Sequence, residues 1–223
     1  MEVNLGNYAI NEDNKVRRLR EKARYDQDTV HGVLDAGLVA HVGFVQDGRP
    51  FVIPMIYGRE AETLYLHGGS KARIMKLLES GAPACVNVTL LDGLVAARSA
   101  FSSSMNYRSV TIFGTGSLVE GESEKLRTLK IISDHAFPGR WDELRAPLDS
   151  EIKQTGIVGL QIDSASAKIS EGPPDDEDFD YDIPVWAGVL PMINQLGTAE
   201  DDPRLLAGVS LSPSIAALQG TRR

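Results

Sequence analysis

Between Leu38 and Tyr57 two β-rich runs flank the dipeptide Asp47-Gly48. Both of these residues tolerate positive φ, and a two-residue turn of that kind joins neighbouring antiparallel strands directly. This stretch therefore commits the chain to antiparallel pairing before anything else is known about it. Similar punctuation recurs. Leu64–His67 reads as a third strand, and Ala84–Ala97 as a fourth that is long or broken at Asp92-Gly93. Arg108–Glu120 follows with Gly114 and Gly116 as bend candidates, and Thr155–Asp163 with Ala167–Ser170 is the last. Helical patterns are few. One runs through Val30, Val33 and Leu34, capped by Asp28 and ended by Gly37. Another runs from Ser70 to about Glu79, stopped by Gly81 and Pro83, and a third covers Glu122–Ala136 up to Pro138-Gly139. Pro54 cannot donate to a ladder, so its strand lies at an edge, is irregular, or faces a ligand there. Strands in hairpin order with few helices between them predict a mainly β fold, an antiparallel barrel with helical excursions. No GxGxxG follows a strand, and there is no internal repeat.

At 223 residues one domain is expected, over 16–171, with a loose leader at 1–15 and an extension at 172–223. The extension carries the acidic run Asp175–Asp182, read as a solvated face, and the rest as loop or one short helix. The net charge is -8, which argues against nucleic acid as a partner. No apolar run approaches the ~20 residues of a membrane span, and the N-terminus has no signal-peptide core. The single cysteine, Cys85, sits in the apolar run Ala84–Val88 and reads as a buried structural thiol. A soluble, cytoplasmic protein is the expectation.

The stretch with chemistry in it is Leu64-Tyr65-Leu66-His67-Gly68-Gly69-Ser70-Lys71-Ala72-Arg73. Two glycines allow a tight turn, Ser70 is a plausible N-cap, and Lys71 and Arg73 add charge. A helix start of this composition suits a phosphate or another anion. An ordinary strand-turn-helix junction with solvated cations would read the same way. No metal site is predicted: His31, His41, His67 and His135 show neither HxH nor HExxH spacing, and the acidic run lacks the ligand order of a calcium loop. Nor is there a GxSxG nucleophile elbow; Ser102-Ser103-Ser104 reads as a small-residue loop. Trp141 and Trp186 read as packing residues, with Trp186 also placed to cover a flat ligand.

Four segments in order are similar to a known family: the hairpin His41–Tyr57, then Leu64–Arg73, then Ser104–Gly114, then Pro184–Pro191. Together they resemble the pyridoxamine 5'-phosphate oxidase-like, FMN-binding split β-barrel superfamily. The nearest branch is that of flavin-nucleotide-binding, nitroimidazole-resistance-type proteins. The resemblance implies a homodimer with FMN at the subunit interface. It implies that Val52, Ile53, Pro54 and Met55 line the isoalloxazine, with main-chain groups of Val52 and Ile53 at the ring edge. It implies that His67, Ser70, Lys71 and Arg73 surround the phosphate, that Arg108 and Ser109 face the flavin, and that Trp186 covers it. Departures accompany the likeness. Ala72 replaces a basic residue, Met55 stands where the oxidase has a lysine for its vitamer phosphate, and no tryptophan–arginine motif follows Lys168. Ser102 and Ser103 stand where relatives carry histidines. These departures argue against oxidation of a vitamer phosphate.

The expected activity is an FMN-dependent oxidoreductase passing electrons to a small molecule, with His67 as the candidate acid or base. A non-catalytic flavin or haem carrier is the alternative, with His41, His67 or His135 as axial ligand. An F420 enzyme of the same fold is a third reading. It would need a basic groove that this acidic chain does not advertise.

Overall fold

In a computed structural model of the protein, residues 6–222 are described. The first five residues of the expected leader, and Arg223 at the end of the expected extension, lie outside that range. Among the described residues the strands are β1 (Ala23–Arg24), β2 (Val39–Gln46), β3 (Arg49–Glu60), β4 (Thr63–Gly69), β5 (Pro83–Ala96), β6 (Ser104–Leu118), β7 (Thr155–Ser170) and β8 (Gly188–Pro191). The helices are α1 (Gln27–Ala36), α2 (Arg73–Glu79), α3 (Glu122–Ala136), α4 (Asp149–Gln154) and α5 (Pro213–Leu218). The strand order is β1-β7-β4-β3-β2-β5-β6, with β8 on β5 and a further pairing of β6 with β7. The result is a mainly antiparallel eight-stranded sheet with helices, consistent with the expected split barrel. No helix among the described residues is long and apolar enough to cross a membrane.

The chain groups into two compact units, and β5, β6 and β7 contribute residues to both. The first holds the residues up to Gly37, Asn87–Ile112 and Ser164–Asn194. Its helix α1 is capped by Asp26, whose side chain accepts from the Thr29 N–H at 2.8 Å, and Asp28 lies inside the first turn. The expected cap was thus two residues off, because either aspartate satisfies the local rule. Val30 and Leu34 on that helix are fully buried. The acidic run is not wholly solvated. Asp176 and Asp180 are buried, and Asp176 accepts from the Arg98 backbone N–H at 2.9 Å and from its guanidinium at 3.0 Å. Arg98 also lies over the Tyr181 ring, 4.9 Å from its centroid. Strand β8, unexpected from the sequence, pairs Leu190 with Leu94.

The second unit holds Leu38–Val86, Phe113–Asp163 and Gln195 onward. Its core is built on Tyr57, Leu64, Leu66, Met75, Leu78, Ile157 and Leu160, each almost fully buried and contributing about 1.5–3 kcal/mol of burial energy. Helix α3 rests directly on β3: a Cβ at Gly58 would come within 2.9 Å of the Ile132 Cα. Helix α4 has no counterpart in the sequence reading. Near the C-terminus α5 is held by Glu143, which accepts from the backbone N–H of Ser214 at 2.9 Å and from its hydroxyl. Ser212 accepts from the Arg140 guanidinium at 2.6 Å.

Candidate functional site

The Asp47-Gly48 turn has φ of 51° and 71°, both in the left-handed region. This two-residue turn fixes the register from Gln46↔Arg49 through Phe44↔Phe51 and Gly43↔Val52 to Val39↔Ile56. On the other edge of β3, pairing with β4 runs only from Glu60↔Thr63 to Tyr57↔Leu66. Strand β4 then continues along β7, as far as Gly69↔Thr155. Arg49–Ile56 therefore keeps one main-chain edge that neither β2 nor β4 covers, and Pro54, opposite His41, leaves no ladder bond unmade on that edge.

Alternation along β3 divides the residues expected at the flavin ring. Val52, which is 64% exposed, and Pro54 point to one face, together with Ile56. Ile53 and Met55, half-buried, point to the other with Phe51.

His67 lies on β4 opposite Ile157. Its Nδ1 is buried without a hydrogen-bond partner among the described residues, and burial pulls its pKa below the usual 6.5, which favours the neutral imidazole. After it the chain turns sharply. The Ser70 N–H donates to the Gln154 carbonyl at 2.8 Å, and the Ala72 N–H donates to the Gly69 carbonyl at 2.8 Å. Gly156 makes room for this turn, since a Cβ there would come within 3.1 Å of the Ser70 Cα. Helix α2 begins only at Arg73, with Ala72 in the cap position and no side-chain cap. Ser70 is thus not the N-cap expected from sequence, and its N–H is used by a carbonyl 84 residues along the chain. With a helix of seven residues, the anion-binding argument moves from the dipole to the side chains.

Those side chains are Lys71 and Arg73, both exposed. Among the described residues neither has a carboxylate within ion-pair distance. The Arg73 guanidinium lies instead over the Phe51 ring, 4.1 Å from its centroid. Phe51 was not singled out from the sequence. The signal that would have found it is its place directly across the two-residue turn from Phe44.

The remaining expected residues belong to the first unit. The Arg108 guanidinium donates to both oxygens of Asp92, at 3.0 and 2.8 Å, and this hydrogen bonding raises its pKa further. Its charge is therefore engaged within the chain. The Ser109 hydroxyl donates to the Lys168 carbonyl at 3.4 Å. Trp186 is 69% exposed, and its ring lies close enough to Gly188 that a Cβ there would come within 2.9 Å of it. The structure thus gathers Val52–Met55, His67, Ser70, Lys71 and Arg73 in the second unit and Arg108, Ser109 and Trp186 in the first.

A family profile described as pyridoxamine 5'-phosphate oxidase matches residues 26–169. The flavocytochrome Anf3 from Azotobacter vinelandii is 41% identical over 95% of this chain and 98% of its own, with a TM-score of 0.89. A FAD and heme binding protein from Mycobacterium smegmatis is 39% identical over 89% of this chain and 98% of its own, with a TM-score of 0.85. A putative 5-nitroimidazole antibiotic resistance protein from Bacteroides thetaiotaomicron is 24% identical over 66% of this chain and 86% of its own, with a TM-score of 0.57, and is alike in fold alone. No curated protein matches the chain.

Proposed function

Because the chain belongs to the pyridoxamine 5'-phosphate oxidase family, we propose that it is a flavin-dependent oxidoreductase. In this reading it holds FMN, with Lys71 and Arg73 at the phosphate and β3 along the ring, and passes electrons to a small acceptor. The observation that carries this reading is the pair Lys71 and Arg73, without carboxylate partners among the described residues in a chain of net charge -8, with the Arg73 guanidinium over the Phe51 ring of β3. The residues present fit the group. Two cations without carboxylate partners among the described residues match a phosphate, and the main-chain groups of Val52, on the edge of β3 that neither β2 nor β4 covers, match the polar edge of a flat ring. When bound, the flavin supplies hydride or electron transfer. The chain's own part is to anchor the phosphate, orient the ring and present a neutral imidazole at His67.

Met55, in place of a lysine, leaves no cation at that position for a vitamer phosphate, so the substrate oxidised in this reading is not a pyridoxine phosphate. A homodimer belongs to the same proposal. Val39, Val45, Val52 and Ile56 form an apolar outer face on the β2–β3 hairpin, each 42–64% exposed, which a second copy would cover. The segment 172–223 would then pack on the barrel or on that second copy.

The test is titration of the purified protein with FMN, FAD and riboflavin, followed by NAD(P)H. Tight FMN binding that exceeds riboflavin binding, with bleaching by the nucleotide, supports the reading. Equal affinity for FMN and riboflavin rejects the phosphate assignment. Bound but inert flavin leaves a carrier. A second reading, a protein that holds haem as well as flavin, is favoured by the names of the two relatives near 40% identity and by the buried, unpartnered Nδ1 of His67. A Soret band lost in His67→Ala would support it, and retention of that band would exclude His67 as the ligand.

A further inference from the structure

We propose that Phe51 is a positioning residue that holds Arg73 in place for the flavin phosphate; the inference rests on the flavin reading above. A guanidinium that must meet an incoming phosphate faces two opposed demands. Left loose, it loses rotamer freedom on binding. Held by a carboxylate, it is already neutralised, and the phosphate must displace that partner. An aromatic face satisfies both demands, because it orients the cation through its quadrupole and occupies none of the five N–H donors.

The structure has that arrangement. The Arg73 guanidinium carbon is 4.1 Å from the Phe51 centroid and 6.0 Å from that of Phe44, and among the described residues Arg73 has no carboxylate partner. Phe51 is itself fixed. It is cross-strand from Phe44, the rings stack with centroids 5.5 Å apart and planes 18° apart, and Phe44 is buried. The platform is thus assembled by the hairpin, independently of α2, and the cation at the start of α2 is laid on it. Arginine suits the position for a reason lysine does not share: a planar group can lie on a ring and still present its edge to two phosphate oxygens.

The experiment measures FMN and riboflavin affinity by flavin fluorescence for the wild type, F51L, F51Y, R73A and the double variant F51L/R73A, with thermal melts of each. F51L is expected to weaken FMN about threefold to tenfold and to leave riboflavin within about twofold. F51Y restores the wild-type value, and in the R73A background F51L has no further effect on FMN. Where F51L melts below the assay temperature, Phe51→Met, which keeps an apolar side chain of similar length, takes its place with the same expectation. A wild type that binds FMN and riboflavin equally overturns the flavin reading beneath this inference. A wild type that prefers FMN, beside an F51L that loses both ligands equally, loses neither, or loses FMN as much without Arg73 as with it, overturns the role of Phe51 alone.

Discussion

Two pairs of cations, one from each unit, are treated differently. In the first, Arg98 and Arg108 are each clamped by an aspartate, Asp176 and Asp92, with two polar contacts apiece. In the second, Lys71 and Arg73 sit two residues apart with no carboxylate partner among the described residues, although the sequence has 31 acidic residues against 23 basic ones. The clamped arginines hold loop to loop at Arg98–Asp176 and strand to strand at Arg108–Asp92. Unclamped cations keep their donors for something from outside. In an acidic chain positive charge is scarce, so a place where two neighbouring cations are left uncompensated is a place to look for a ligand.

The comparison is most exposed to failure in the double variant Lys71→Ala/Arg73→Ala. Each charge-assisted contact is worth about 1.5–3 kcal/mol. Together they predict an FMN affinity lower by roughly two to four orders of magnitude, with riboflavin nearly unchanged and the melting temperature within a degree or two. Loss of stability instead of affinity would put these cations in the same class as the clamped ones.

Next in size is Asp176→Asn. The Asp176 side chain is fully buried while that of Arg98 is 22% exposed. Removing one member of a buried pair costs about 3–5 kcal/mol, and partial exposure of the arginine brings the expectation to the lower end. Urea unfolding reads this as a lower midpoint, and FMN affinity should not move. Asp92→Asn should do less, at most about 1 kcal/mol, because both partners are near 40% exposed. A larger cost there would mean that Arg108 is clamped more firmly than its exposure implies.

The smallest effect concerns pH. Hydrogen bonds from Ser214 hold the Glu143 carboxyl down to about 2 from its ordinary 4.5. A lowered carboxyl favours the folded state at pH values above 4.5, and the advantage fades as pH falls toward about 2. Comparing acid unfolding of wild type and Ser214→Ala should therefore show a gap near pH 6 that closes by about pH 2. A gap independent of pH would assign the contact to packing alone.

Local sequence was a good guide wherever the determining atoms are close along the chain. Asp47-Gly48 announced its turn, the β-rich runs became strands, and the run of glycines after His67 marked the place where the chain leaves the sheet. It failed where a distant partner decides. Ser70 has the chemistry of a helix cap, yet the Gln154 carbonyl takes its N–H and the helix starts three residues later. The run Asp175–Asp182 has the composition of a solvated tail, yet Arg98 draws Asp176 inside. Within the candidate site Lys71 and Arg73 stood out from the sequence. Phe51 did not, because its importance lies in the ring beneath it and the cation above it, and both are set by register.

Register gives the tight turn a reach well beyond its two residues. A side chain on a ribbon changes sides with every step, so one residue added between Gln46 and Arg49 would swing Phe51 outward and bring a neighbour inward in its place. The guanidinium some twenty positions downstream would lose its seat, although nothing near it in the chain had changed. Loop length at the tip of this hairpin is in that sense a setting for anion affinity, and natural variation in it would be expected to track which nucleotide a relative prefers.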